Sequence, residues 1–96
     1  MTGDEIYSLL APRLQAVLAL DAPPAPTARF DEDLHADSLD LVEVVEGVEQ
    51  DLAAAGVDVR LPEDDLRSLG TVRDAAEAFA ALTQHPTSTA TRKEPT

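Results

Sequence analysis

Cysteine is absent from the 96-residue chain. That excludes disulfide frameworks, thiolate catalysis and cysteine-based zinc sites together, and it fits a reducing cytoplasm. Aromatic residues are reduced to Tyr7, Phe30 and Phe79, with no tryptophan. The core must therefore come from leucine, valine and alanine, a palette that suits a compact helical bundle better than a sheet, although valine also serves strands. The four glycines, at positions 3, 47, 56 and 70, are all isolated, so no glycine-rich phosphate loop or dinucleotide fingerprint exists. No apolar run approaches the roughly 18 residues of a membrane span. Asp4 and Glu5 stand where a signal peptide would be basic. A soluble, cytoplasmic chain is expected, with length for one domain and a core small enough to be marginal.

Bases are scarce too. Seven face 19 acids, for a net charge of -12. A polyanion or an anionic membrane would be repelled, so neither nucleic acid nor membrane is an expected partner. Basic partners are, with encounter hastened by attraction. The imbalance is local: no Lys or Arg occurs between Arg29 and Arg60, an interval that holds ten of the acids. This stretch reads either as a solvated helix face or as a docking face.

The apolar periodicity divides the chain into four helical segments. Ile6, Leu10, Leu14, Val17 and Leu18 share a face over about 4–20, with Pro12 predicting a kink or a helix start near it. A long connection over 21–37 begins with Pro23, Pro24 and Pro26 and can be pinned by Phe30 and Leu34. From Ser38 to about Ala55, Val42, Val45, Val48 and Leu52 face inward, and Asp40, Glu43, Glu46 and Gln50 lie opposite. Asp37 or Ser38 serves as the N-cap and Gly56 as the stop. Residues 57–61 read as extended or irregular. Pro62 with Glu63, Asp64 and Asp65 opens a short helix ending near Gly70. Thr71 and Asp74 form a capping box for a last helix to about Gln84, with Val72, Ala75, Ala76, Phe79 and Leu82 inward. The expected fold is all-α, a four-helix bundle with a short third helix and a long first loop, filling residues 1–84. Residues 85–96, rich in Thr, Ser and Pro, are expected to be a disordered tail.

Catalytic readings fare poorly. His35, Asp37 and Ser38 are the residue types of nucleophilic catalysis but lie too close in sequence for a triad. Asp31 and Asp33 start like a calcium loop, which fails at His35, Ala36 and Val42. What is left is a serine at the mouth of a helix, flanked by carboxylates. An ordinary N-cap serine is the bland reading, and a modified serine the sharper one.

The block from Phe30 through Asp37-Ser38-Leu39-Asp40 to Glu43 resembles the phosphopantetheine attachment segment of acyl carrier proteins, and the resemblance runs over about Ile6 to Leu82. It implies that a phosphopantetheinyl transferase esterifies Ser38 with 4'-phosphopantetheine from coenzyme A. Asp37 resembles the residue that helps position the transferase's magnesium and substrate. Leu39 looks like the exposed apolar contact for partner enzymes, and Asp40, Glu43 and Glu46 like partners for their Arg and Lys. The chain itself would not be an enzyme. Its expected partners are an acyltransferase or an acyl or aminoacyl ligase, a ketosynthase and other basic-surfaced synthase enzymes, met as a monomer.

Three departures from the family pattern point away from housekeeping fatty-acid synthesis and towards polyketide, antibiotic or related secondary metabolism. His35 stands where glycine is usual, Glu46 where an apolar residue is common, and the stretch Ala53–Leu61 is longer than in compact fatty-acid carriers. An aminoacyl or D-alanyl carrier of the same fold, and an unmodified acidic adaptor, are the alternatives.

Overall fold

A computed structural model describes residues 1–84, which form four helices: α1 (Gly3–Leu18), α2 (Ser38–Ala54), α3 (Glu63–Arg67) and α4 (Val72–Gln84). The expected all-α architecture, with a short third helix and a long first loop, is the one found. The segment read as a tail lies outside the described residues. No helix among them is long and apolar enough to cross a membrane.

α1 is one helix that runs through Pro12. A capping box starts it: Thr2 Oγ1 accepts from the Glu5 amide at 3.2 Å, and Glu5 Oε1 accepts from the Thr2 amide at 2.8 Å. An interior proline costs about 3 kcal/mol. Ile6, Leu10 and Leu14, spaced by four and almost fully buried, each return about 1.5–3 kcal/mol. The stripe outweighs the missing hydrogen bond, so the helix neither ends nor starts at Pro12.

α2 begins at Ser38 with Asp37 as N-cap. It ends in a Schellman turn: Gly56, at φ +87°, donates to the Ala53 carbonyl and Val57 to that of Leu52, at 3.0 and 2.8 Å. Its buried stripe is Val44, Val45, Val48 and Leu52, whereas Val42 is only half-buried. α3 closes at Arg67, short of Gly70, and Leu66 is its buried residue. α4 carries the expected Thr71–Asp74 box. Asp74 Oδ2 accepts from the amides of Thr71 (2.9 Å) and Gly70 (3.1 Å), and the Asp74 amide donates to Thr71 Oγ1 (3.1 Å). Val72, Ala75, Ala76, Phe79 and Ala80 are buried, with Leu82 half-buried.

α1 packs on both α2 and α4, and α3 packs on α2. Phe79 is fully buried in the cluster formed with Ile6, Leu10, Leu14, Val44, Val48, Leu52 and Val72. The long loop is tied to the start of α4 by three backbone bonds: Phe30 to Gly70, Val72 to Ala28 and Arg73 to Pro26, at 3.0, 3.0 and 2.8 Å. An antiparallel bridge joins Arg29 and Thr71, and the Tyr7 hydroxyl donates to the Pro24 carbonyl. Burial of Phe30 adds to this ladder, so the segment before Ser38 is anchored by both backbone and core.

Candidate functional site

The approach to α2 is a tight turn closed on itself. The amides of Asp33 and Leu34 both donate to the Arg29 carbonyl, at 3.1 and 3.0 Å, and Ala36 donates to the Phe30 carbonyl at 2.7 Å. Between these bonds His35 has φ +53°, the left-handed conformation that glycine adopts freely and a residue with Cβ does not. The backbone here is thus one that favours glycine, and the exposed imidazole stands there against that preference.

Asp37 and Asp40 then cap α2 reciprocally. Asp37 Oδ1 accepts from the Asp40 amide at 2.9 Å, and Asp40 Oδ2 accepts from the Asp37 amide at 3.3 Å. The cap is aspartate, not serine, which releases the Ser38 hydroxyl: Ser38 is the first residue of the helix and is exposed. The amides of Ser38 and Leu39 have no acceptor among the described residues. Free N–H groups at the positive end of a 17-residue helix favour an anion beside Ser38 Oγ. A phosphodiester on that oxygen therefore fits the residues present.

Leu39, at 77% exposure, is the one large apolar side chain left in solvent among the described residues. Glu43 and Glu46 follow it at spacings of four and three, so the three lie on one helix face, and both acids are exposed. Asp40 is half-buried, its carboxylate occupied at one oxygen by the cap. The ion pairs among the described residues are Arg13–Asp51, Arg29 with Asp31 and Glu32, and Arg67–Glu63. None neutralises Asp37, Asp40, Glu43 or Glu46. The face beside Ser38 thus combines uncompensated negative charge with one apolar side chain. Residues that sequence reasoning missed include Arg13, whose fork with Asp51 crosses from α1 to α2, and Gly47, against which Arg13 lies. Neither carries a local signal, because the partners lie 38 residues apart.

Residues 8–79 match the model of a family described as a phosphopantetheine attachment site. The acyl carrier protein of Acidothermus cellulolyticus is 33% identical over 84 residues, 86% of this chain and 94% of that protein. The acyl carrier proteins of Chlorobium phaeovibrioides and Chlorobium luteolum are each 38% identical over 52 residues, 54% of this chain and 60% of theirs.

Proposed function

The chain belongs to the phosphopantetheine-binding acyl carrier family, and on that premise we propose that Ser38 is the residue that receives the arm. It is a carrier and performs no catalysis of its own. The observation that carries the assignment is an exposed Ser38 hydroxyl at the first position of α2, beside two backbone amides that have no acceptor among the described residues. When attached, the arm supplies a thiol that holds the acyl group as a thioester. The chain's own contribution is to present the attachment oxygen, to stabilise the phosphodiester with the Ser38 and Leu39 amides, and to keep the helix mouth rigid through the Asp37–Asp40 cap.

Asp37 keeps one carboxylate oxygen outside the cap, which supports a role in positioning the transferase's magnesium. Leu39 inserts into partner enzymes while Glu43 and Glu46, with Asp40 at the edge, pair with their bases. Contacts of this kind are small and charged, suited to fast association and ready release. Residues 1–84 constitute the carrier domain, working as a cytoplasmic monomer with a phosphopantetheinyl transferase, an acyltransferase or ligase, and a ketosynthase. The strained His35, the charged Glu46 and the long connection to Leu61 support a place in polyketide or related secondary metabolism.

Intact mass after incubation with coenzyme A, magnesium and a broad-specificity phosphopantetheinyl transferase tests the assignment. A gain of one phosphopantetheine in the wild type and none in Ser38→Ala is expected. Modification of a folded Ser38→Ala variant would move the site elsewhere.

A further inference from the structure

Two open grooves flank α2 beyond the acidic face, and Arg60 borders both. One is a polar cleft of about 380 Å³ between α2 and the 57–61 connection, with Glu46, Gln50 and Asp58 on its walls. The other, about 230 Å³, runs towards α3 over Val45, Leu61 and Leu66. Arg60 is the one cation lining either groove among the described residues. It is exposed, and it makes no ion pair with any described residue although acids surround it. Its neighbour Glu49 is already engaged, with Oε2 accepting from the Leu61 amide at 2.8 Å. The buried side chains of Val59 and Leu61 hold the connection on either side of Arg60, so the guanidinium is mounted on anchored backbone.

A uniformly basic partner laid over this flank would meet Glu43 and Glu46 favourably and Arg60 unfavourably, and like charges brought together across an interface disfavour the complex. We propose that Arg60 selects the partner and fixes its register on the carrier: the cognate enzyme presents a carboxylate to Arg60, bracketed by Arg or Lys side chains that meet Glu43 and Glu46. The occupant is a surface segment of the enzyme that takes the acyl group from the arm. Glu46 lies about 12 Å along α2 from Ser38 at 1.5 Å per residue, so this contact and the attachment site fit within one docking footprint. An acidic face by itself admits any basic surface; a single opposite charge at its border excludes those that lack the answering carboxylate. The inference rests on the docking reading given above.

The test measures acyl transfer from the loaded carrier to the ketosynthase of its own pathway, with kcat and KM separated, for wild type, Arg60→Glu, Arg60→Lys and Glu43→Lys. Arg60→Glu is expected to raise KM about tenfold with kcat held, and Arg60→Lys to stay within about threefold of wild type. A merely structural role would not be rescued by lysine or confined to KM. If Glu43→Lys raises KM while Arg60→Glu leaves it unchanged or lowers it, the role of Arg60 is overturned and the acidic docking face stands. If neither variant moves KM, the docking reading itself falls and the selection by Arg60 falls with it.

Discussion

Arg13 of α1 holds Asp51 of α2 in a fork, with Nε donating to Oδ2 at 3.1 Å and Nη2 to Oδ1 at 2.7 Å. The hydrogen bonds from Arg13 lower the Asp51 pKa below the usual carboxylate range, and partial burial opposes them. Both side chains are half-buried, so screening holds the value of the pair to about 0.5–1 kcal/mol. Because the folded-state pKa is depressed, this stability is complete above the ordinary carboxylate pKa of about 4 and disappears as pH falls through the lower folded value. Urea unfolding should show wild type exceeding Asp51→Asn by that amount at pH 7 and the two converging as pH falls below the ordinary carboxylate range. Asp74, lowered first by the Thr71 amide, follows the same sign and loses its contribution in the same acid range.

Gly47 is the reason the fork can form. A Cβ there would lie 2.9 Å from both Cδ and Nε of Arg13, so Gly47→Ala displaces the guanidinium stem. The gain in helix propensity, about 1 kcal/mol, offsets the lost pair, and the net change in stability is expected to be small. The signature is in a double-mutant cycle: Asp51→Asn, destabilising in the wild type, becomes neutral in the Gly47→Ala background. An unchanged effect of Asp51→Asn would show that the fork survives the added methyl.

His35 holds a left-handed backbone that costs a residue with Cβ about 1–2 kcal/mol. His35→Gly removes that strain and adds some unfolded-state entropy, so a net stabilisation of about 0.5–1 kcal/mol in urea unfolding is expected. A β-branched residue at the same place destabilises. Ala19, the C-cap of α1 at φ +55°, should respond in the same way to Ala19→Gly.

Asp37 combines a cap with a charge, and two variants separate them. Asp37→Ala loses the acceptor for the Asp40 amide and is expected to cost about 1 kcal/mol in unfolding free energy. Asp37→Asn keeps an acceptor and most of the stability while removing the charge. If the carboxylate positions the transferase's magnesium, both variants slow arm attachment to a similar extent. Attachment slowed only in Asp37→Ala would assign the residue to capping alone.

Leu39 makes little contribution to the core, so Leu39→Ala should leave the unfolding free energy within about 0.5 kcal/mol of wild type. Partner enzymes should nonetheless show a raised KM for it. Added salt should weaken docking of the wild type, and Glu43→Lys should weaken it at low salt. Salt-independent docking would remove charge from the account.

The features legible in the sequence were the local ones. Gly56 ends α2 because only its φ closes the turn, and the Thr71–Asp74 box is written in four adjacent residues. Thr2 and Glu5 form a similar box for α1, which apolar periodicity alone does not reveal, and with it the proline at 12 loses its force as a boundary. Other features depend on what lies across the fold. Val44 is buried and Val42 half-exposed because α2 is enclosed by neighbours that periodicity does not locate. The fork from Arg13, the bridge from Arg29 to Thr71 and the backbone of His35 arise from contacts between distant segments or from a turn whose residues do not announce it. For the site, the segment around Ser38 was legible as a family resemblance. The choice of Asp37 over Ser38 as the cap, which frees the hydroxyl, was not.

The ladder that ties the loop to α4 has a consequence in time. The carbonyl that receives the Phe30 amide belongs to Gly70, and the amides that reach Pro26 and Ala28 belong to Arg73 and Val72. During synthesis the segment leading to Ser38 emerges first, but its backbone partners at the start of α4 follow only after more than thirty further residues. A nascent chain therefore exposes its serine before it possesses the support that orders the serine's surroundings. α4 acts as the keystone of the attachment site, and a chain truncated before it lacks the three bonds that hold that loop.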